Sequence, residues 1–301
     1  MVVLKLMITK YDKTNRSIFD KIHLKQNKDK SIRKKVINLI NTKDLNLEKN
    51  YFHKKVCADF GCGSNGFGSL NLLNLNAEFV HLVDLEDNIV NNINSNLTKY
   101  KNKYSIHINS IEKTNLKSKS IDFILCQGVL HHVKNDIKAL REMHRVLKKN
   151  GKLFLSVAGD GGVLTEILTK VIRPKYFKDS NFKKIVDKIM FDKSKEYKKF
   201  YYNALDEEAK ILFKFISKYI DQDLLLSFRD RISPNKVKLY DEKKLKKLLR
   251  QMKFKKIYRI KRDVKYNNIR KLLVPFYHHY DNDLSKFLYG NGVIHLMMQK
   301  G

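Results

Sequence analysis

The chain reads as α/β, with a doubly wound, mostly parallel seven-stranded sheet and a helical lid inserted after strand five. Three observations predict this. Short apolar runs alternate with helix-period segments from about residue 56 to residue 158, the order that builds parallel βαβ units. The first run breaks into the glycine-rich turn Gly61-Cys-Gly-Ser-Asn-Gly66, as a strand does where it hands over to a helix at a ligand-binding edge. The alternation stops at Gly159-Asp-Gly-Gly162, three amphipathic stripes follow, and the pattern resumes near Tyr240. The chain accordingly divides into a helical arm (1–50), a cofactor-binding core (51–158), a helical insertion (159–235) and a completion of the core sheet (236–301).

In order, residues 14–42 have helical character, with Ile32, Val36, Ile37, Leu39 and Ile40 offering an apolar face between basic residues. The short apolar run from Val56 ends in Asp59 and reads as a buried strand. Glycines in the turn after it let backbone approach a ligand, because no Cβ intervenes and positive φ is tolerated. The N–H groups of the following helix favour an anionic group there. Leu70, Leu72, Leu73 and Leu75 suit that helix, and Ala77–Asp84 is a second strand ending in a carboxylate. Asp87 is placed to cap a helix running to about Tyr100, Tyr104–Asn109 is a third strand and Ser120–Gln127 a fourth. Asn135 caps a helix with Ile137, Leu140, Met143 and Leu147 on one face, which Asn150-Gly151 ends. Lys152–Val157 is the fifth strand.

The insertion carries stripes at Val163, Ile167, Leu168, Val171 and Ile172, at Phe182, Ile185, Val186, Ile189 and Met190, and at Leu212, Phe215, Ile216, Tyr219 and Ile220. Asp241 caps a helix with Leu245, Leu248, Leu249 and Met252, and Phe254–Arg262 is a sixth strand. Asn291–Gln299 closes the chain as an antiparallel strand at the sheet edge.

Composition bounds the function. The opening ten residues are apolar only briefly and carry Lys5, so a signal peptide is not expected, and no apolar run approaches the roughly 18 residues of a spanning helix. The expected location is the cytoplasm. Cys57, Cys62 and Cys126 show no C-x-x-C pairing, so the expectation is three reduced apolar fillers and no metal site. A formal net charge of +31 points toward nucleic acid, an acidic substrate or an anionic surface, or else to a lysine-rich composition that merely coats the protein. The densest basic stretches are Lys25–Lys35 and Lys236–Arg262.

By itself Gly61-x-Gly63-x-x-Gly66 also fits a dinucleotide fingerprint. Four stretches together resemble the class I S-adenosylmethionine-dependent methyltransferases, particularly the group that methylates small molecules: Val56–Gly63, Asp84, Ser120–Val133 and Ala139–Leu153. Weaker similarity returns at Leu239–Leu245 and Met252–Phe254, while the insertion matches no pattern of that family. The resemblance implies a Rossmann-like fold with S-adenosyl-L-methionine as cofactor. It places Gly61, Cys62 and Gly63 against the amino-acid end of the cofactor, with Asp59 ordering the turn. Asp84, with Leu85 beside it, would accept from the ribose hydroxyls, Ser110 and Ile111 would border the adenine, and Gln127 would close the site near the sulfonium. Two departures stand out. Asn65 replaces a customary glycine, where asparagine is the best substitute at positive φ, and Ser110 stands where a carboxylate commonly meets the adenine amino group.

His131 and His132 sit at the mouth just after strand four, and either could serve as general base or as a structural pair. Phe276–Asp281 is a second cluster of polar aromatics that would face the lid or pack as a loop. The leading expectation is a methyltransferase acting on a small or lipid-like amphipathic substrate enclosed by the lid. The alternative keeps the chemistry and takes tRNA or rRNA as acceptor, motivated by the charge. A nicotinamide-dependent oxidoreductase fits the Leu130–His132 and Arg141–Gly151 stretches poorly, and a non-catalytic cofactor-fold protein conflicts with the near-complete cofactor loop. Oligomeric state is not encoded in any pattern found.

Overall fold

In a computed structural model the protein is described over residues 40–85, 89–188, 205–217, 222–260 and 283–301, with helical positions at 19, 22–24, 28, 33, 34, 37 and 203. The expected cap Asp87 and the Phe276–Asp281 cluster lie outside the described residues.

Seven strands form one sheet in the order β3-β2-β1-β4-β5-β7-β6: β1 (Val56–Phe60), β2 (Phe79–Asp84), β3 (Tyr104–Ile108), β4 (Ile121–Gln127), β5 (Leu147–Ala158), β6 (Phe254–Arg259) and β7 (Val293–Lys300). The first five pair in parallel, and β7 runs antiparallel to both its neighbours. The last strand therefore sits between β5 and β6 rather than at the expected edge. Its buried Ile294, Leu296, Met297 and Met298 explain the placement, because an edge strand would leave part of that apolar run in water.

The strand alternation puts an apolar layer on each face, which is why β1 reads as an unbroken apolar run. Ala58 and Phe60 join one core cluster with Leu140, Met143, Leu245 and Leu249. Cys57 joins the other with Leu72, Leu73, Ile89 and Ile93. The helices behind those residues are α1 (Phe67–Asn74), α2 (Ile89–Asn96) and α3 (Asp136–Val146), with Glu242–Gln251 following β5 later in the chain. Asn135 and Asp241 cap their helices as expected, accepting from Lys138 N at 2.9 Å and Lys244 N at 2.7 Å. Asn150-Gly151 does not end a helix. The chain leaves α3 after Val146, pairs Leu147 with Ile121, and spends Asn150, at φ 65°, on an irregularity inside β5.

Two compact units are distinguishable. The first comprises Met1–Asp160, Asn235–Arg262 and Val293–Gly301 and holds the sheet. The second comprises Gly161–Pro234 and Asp263–Gly292, the latter a stretch that the sequence pattern assigned to completion of the core. Its small core is Leu168, Tyr176, Val186 and Ile232. A continuous helical run begins at Val163–Glu166, passes through a π-helical turn at Ile167–Ile172 and ends with Arg173–Lys178. The expected stripe on this run is split: Leu168 is buried while Val163, Ile167 and Val171 are exposed.

Candidate functional site

The site is built at the carboxyl ends of β1, β2 and β4. After Phe60 the backbone turns through Gly61 at φ 79°, Gly63 at φ 64° and Gly66 at φ 60°, and Gly66 then caps α1. Side chains are barred at two of these positions by space as well as by φ. A Cβ on Gly61 would stand 2.3 Å from Val129 Cγ2, and one on Gly63 would stand 2.5 Å from His23 Cε1. Gly61 N and Cys62 N both donate to Val83 O, at 2.8 and 3.3 Å, which ties the turn to β2. Gly63 N donates to Asp84 Oδ2 at 2.8 Å, so the acid at the end of β2 reaches across to the loop.

Asn65 does not adopt positive φ, contrary to expectation; Gly66 takes that role one residue later. The amide of Asn65 is used as a brace: its Nδ2 donates to His23 O at 2.7 Å, and its backbone carbonyl accepts from Asn96 Nδ2 at 3.0 Å. His23 also meets Ser64, its Nδ1 accepting from Ser64 N at 3.3 Å and lying 3.1 Å from Ser64 Oγ. Neither His23 nor Asn96 is marked by any local sequence pattern. Both come from helical segments distant in the chain, and only the tertiary arrangement brings them to the loop.

Asp59 is buried beneath the turn, where its Oδ2 accepts from Ser69 Oγ at 2.8 Å. Burial pushes its carboxyl up to about 7, against the Ser69 hydrogen bond and with the Asp84 carboxylate adding to the rise. A Cβ on Gly68 would stand 2.6 Å from Asp59 Oδ2, so the helix approaches the acid closely because that residue is glycine. Asn109 N donates to Asp84 O at 2.9 Å, which sets Ser110 and the buried Ile111 just past the same strand ends. Ser110 Oγ accepts from Glu112 N at 3.1 Å and so shapes its own turn. Leu85 is among the exposed apolar side chains, and Cys62 is a half-buried cysteine outside any disulfide. Gln127 ends β4, and Gly128 follows at φ 74° with nothing within 4 Å of the position its Cβ would take.

His131 and His132 lie in a 3-10 turn, Leu130–His132, with ring centroids 4.0 Å apart. Both are buried. His132 Nδ1 is 3.0 Å from Lys236 O, and a carbonyl only accepts, so His132 carries a proton at Nδ1. His131 Nδ1 accepts from Ala158 N at 3.4 Å, which leaves the neutral ring protonated at Nε2. The two histidines are therefore opposite tautomers when neutral. A strap at residues 236–240 fixes them: Lys238 N donates to His131 O at 2.8 Å, and Tyr240 N to Ala158 O at 3.0 Å. Lys238 Nζ and Tyr240 Oη donate to Asp136 Oδ2 at 2.6 and 2.8 Å. Burial alone would raise the Asp136 carboxyl, but these two donors hold it below the usual carboxylate range. Phe19 bridges the parts, its ring 5.0 Å from His132 and 6.4 Å from His23.

The residues present fit an S-adenosylmethionine-sized ligand. A carboxylate offers more acceptor positions than one N–H consumes, the loop presents backbone rather than side chains, and Gly128 faces open space beside Gln127. This fold and loop are those of the class I S-adenosylmethionine-dependent methyltransferases. Residues 58–155 match the family described as a methyltransferase domain.

Among curated proteins, the chain is 32% identical over 120 residues to an uncharacterised protein of Methanocaldococcus jannaschii, covering 40% of this chain and 49% of that one. It is 29% identical over 103 residues to a tRNA U34 carboxymethyltransferase of Campylobacter fetus, covering 34% and 36%. It is 31% identical over 118 residues to the Campylobacter jejuni enzyme of the same name, covering 35% and 36%. The chain thus spans about half or less of the curated relatives it matches. Among solved structures, a chain in the complex between the Haloferax volcanii Trm112 methyltransferase activator and a putative methyltransferase aligns with a TM-score of 0.54 at 10% identity, covering 97% and 99%. That likeness bears on the fold alone. Among the described residues no helix is long and apolar enough to cross a membrane.

Proposed function

We propose that this protein transfers a methyl group from S-adenosylmethionine to RNA, with tRNA as the substrate class to test first. The observation that carries the methyl-transfer reading is the bond from Gly63 N to Asp84 Oδ2, which joins the amino-acid end of the expected cofactor site to its ribose end. Support for an RNA acceptor comes from the two Campylobacter relatives named for tRNA and from the net charge of +31. When bound, the cofactor supplies a methyl group already activated on a sulfonium, so the protein's task is alignment, exclusion of water and proton removal.

In this reading Asp84 holds the ribose hydroxyls, the Gly61–Gly63 backbone cradles the amino-acid end, Ser110 and Ile111 border the adenine, and Gln127 closes the sulfonium side. His132 is the base: with its proton at Nδ1 on the Lys236 carbonyl, its lone pair is at Nε2. His131, protonated at Nε2 when neutral, is a donor or a packing partner. His132→Gln should lower kcat at least tenfold with cofactor affinity unchanged, whereas His131→Gln should leave kcat within about threefold. The reverse result would exchange their roles.

The cofactor reading is tested by calorimetry with S-adenosylmethionine and its demethylated product, where no heat from folded protein would overturn it. The acceptor is tested by labelled-methyl transfer into an extract, with the product divided into RNA, protein and extractable metabolite; label in RNA supports the proposal. A second reading, transfer to a small amphipathic acceptor, is favoured by the exposed apolar Val163, Ile167, Val171 and Phe177 of the second unit. Label in the extractable fraction alone would support it instead.

A further inference from the structure

The lysines of the first unit are not spread evenly over the sheet. Lys55 immediately precedes β1, Lys103 precedes β3 and Lys119 stands two residues before β4. Lys152 pairs in register with Phe123 near the start of β4, and Lys253 and Lys256 flank the start of β6. Because β7 runs antiparallel, its final residue Lys300 comes to the same end, paired with Phe254. All but one strand of the sheet thus place lysine at the amino-terminal end of the parallel strands. The exception is β2, which follows Glu78.

Several of these groups are close enough to act on one another. Burial first, and then the Lys256 and Lys55 ammonium groups, hold Lys152 below the usual lysine range, with Glu48 acting the other way. Burial and Lys119 do the same to Lys300. Tyr51 lies among them, with Lys152 Nζ 4.9 Å and Lys55 Nζ 5.9 Å from its ring centroid. Asp122, on the same end of β4, is held by Lys148 at 2.8 Å and relieves little of the remaining charge. Like charges crowd only at a cost, and an even coat would have avoided that cost by spreading them.

We propose that this end of the sheet, at Lys55, Lys103, Lys119, Lys152, Lys253 and Lys256, is a docking face for the phosphate backbone of an RNA. The inference rests on the RNA reading of the acceptor given above. Six strand spacings of about 4.8 Å make the face roughly 29 Å wide, enough to meet several phosphates at once. A membrane-docking face would interleave lysine with exposed apolar side chains. Among the described residues Leu24, Leu85 and Val90 are the exposed large apolar side chains of this unit, and none lies on these strand ends. Phosphate contacts fix position and carry no base information, so selection of the nucleotide falls to the other end of the strands.

The test is binding of the full chain to bulk tRNA across about 50–200 mM salt, the range over which phosphate contacts weaken steeply. The variant K55E/K152E/K256E should bind at least tenfold more weakly, with a salt slope shallower by about two. K170E/K175E/K178E, with the same change of net charge placed in the second unit, should bind within twofold of the parent. Unchanged S-adenosylmethionine calorimetry certifies the fold of each, and K55Q/K152Q/K256Q, expected to show the same loss of slope, replaces the reversal if it misfolds. Equal losses in both charge-reversal variants, or none in either, would overturn the face while leaving RNA labelling intact. Absence of both tRNA binding and RNA labelling would overturn the acceptor reading itself. Binding to phosphatidylglycerol vesicles but not to tRNA would replace the proposed partner.

Discussion

The two ends of the sheet are built differently. At the carboxyl end, Asp59 and Asp84 sit under and beside a loop of glycines, and polar groups are matched individually: Ser69 to Asp59, Gly63 N to Asp84, Lys238 and Tyr240 to Asp136. At the amino end, lysines from different strands crowd each other and the pairing is sparse. One end is specified atom by atom, and the other is a field. A substitution at the first should therefore act through geometry, and one at the second through ionic strength.

The largest effect expected is that of Gly61→Ala. Its Cβ meets a stiff β-branched Val129 at 2.3 Å with φ at 79°, and the combined strain and overpacking should cost about 2–4 kcal/mol of stability. Thermal unfolding and cofactor calorimetry should both register it; a neutral result would mean that the carboxyl end is softer than its hydrogen bonds imply. Next is Asp84→Asn, which keeps the shape and removes the charge. Charged hydrogen bonds contribute about 1.5–3 kcal/mol, so cofactor affinity should fall roughly 10–100-fold while the melting temperature moves little.

A third effect is a matter of pH. The Asp59 carboxyl is raised from 3.8 to about 7 by burial, so between those values the folded state binds more protons than the unfolded chain. Unfolding free energy should therefore fall as pH rises through that window and level off above it. Asp59→Asn keeps an acceptor for Ser69 and should flatten this slope, making the variant relatively more stable at pH 8 than at pH 5 when each is compared with the parent. The smallest effect belongs to the other end: Lys152→Gln should raise the melting temperature by a degree or two in low salt, and the gain should vanish near 1 M salt, where screening removes the repulsion. A gain that survived high salt would show packing rather than charge at work there.

The core was legible because its signals are local. Strand, glycine turn, strand and carboxylate follow one another within about thirty residues, and chain geometry leaves few ways to arrange them. Asn65 was misread because φ depends on where the turn's neighbours stand, and Gly66 was available to take the left-handed position. The stripe from Val163 to Ile172 reads as one apolar face, yet Val163, Ile167 and Val171, four residues apart, form one row in solvent while Leu168 in the neighbouring row is buried, and periodicity does not say which row meets a core.

Local pattern is enough for the doubly wound core and for the loop and acid expected to hold a cofactor, since backbone preferences and burial at fixed spacing encode both. Long-range packing is what sets His23 and Asn96 against the loop, gives His131 and His132 opposite tautomers when neutral, and gathers lysines dispersed through the chain at one end of the sheet. Those features join residues tens to hundreds of positions apart. Such pairings leave no period in the sequence, because they are fixed by which strand ends fold back beside one another.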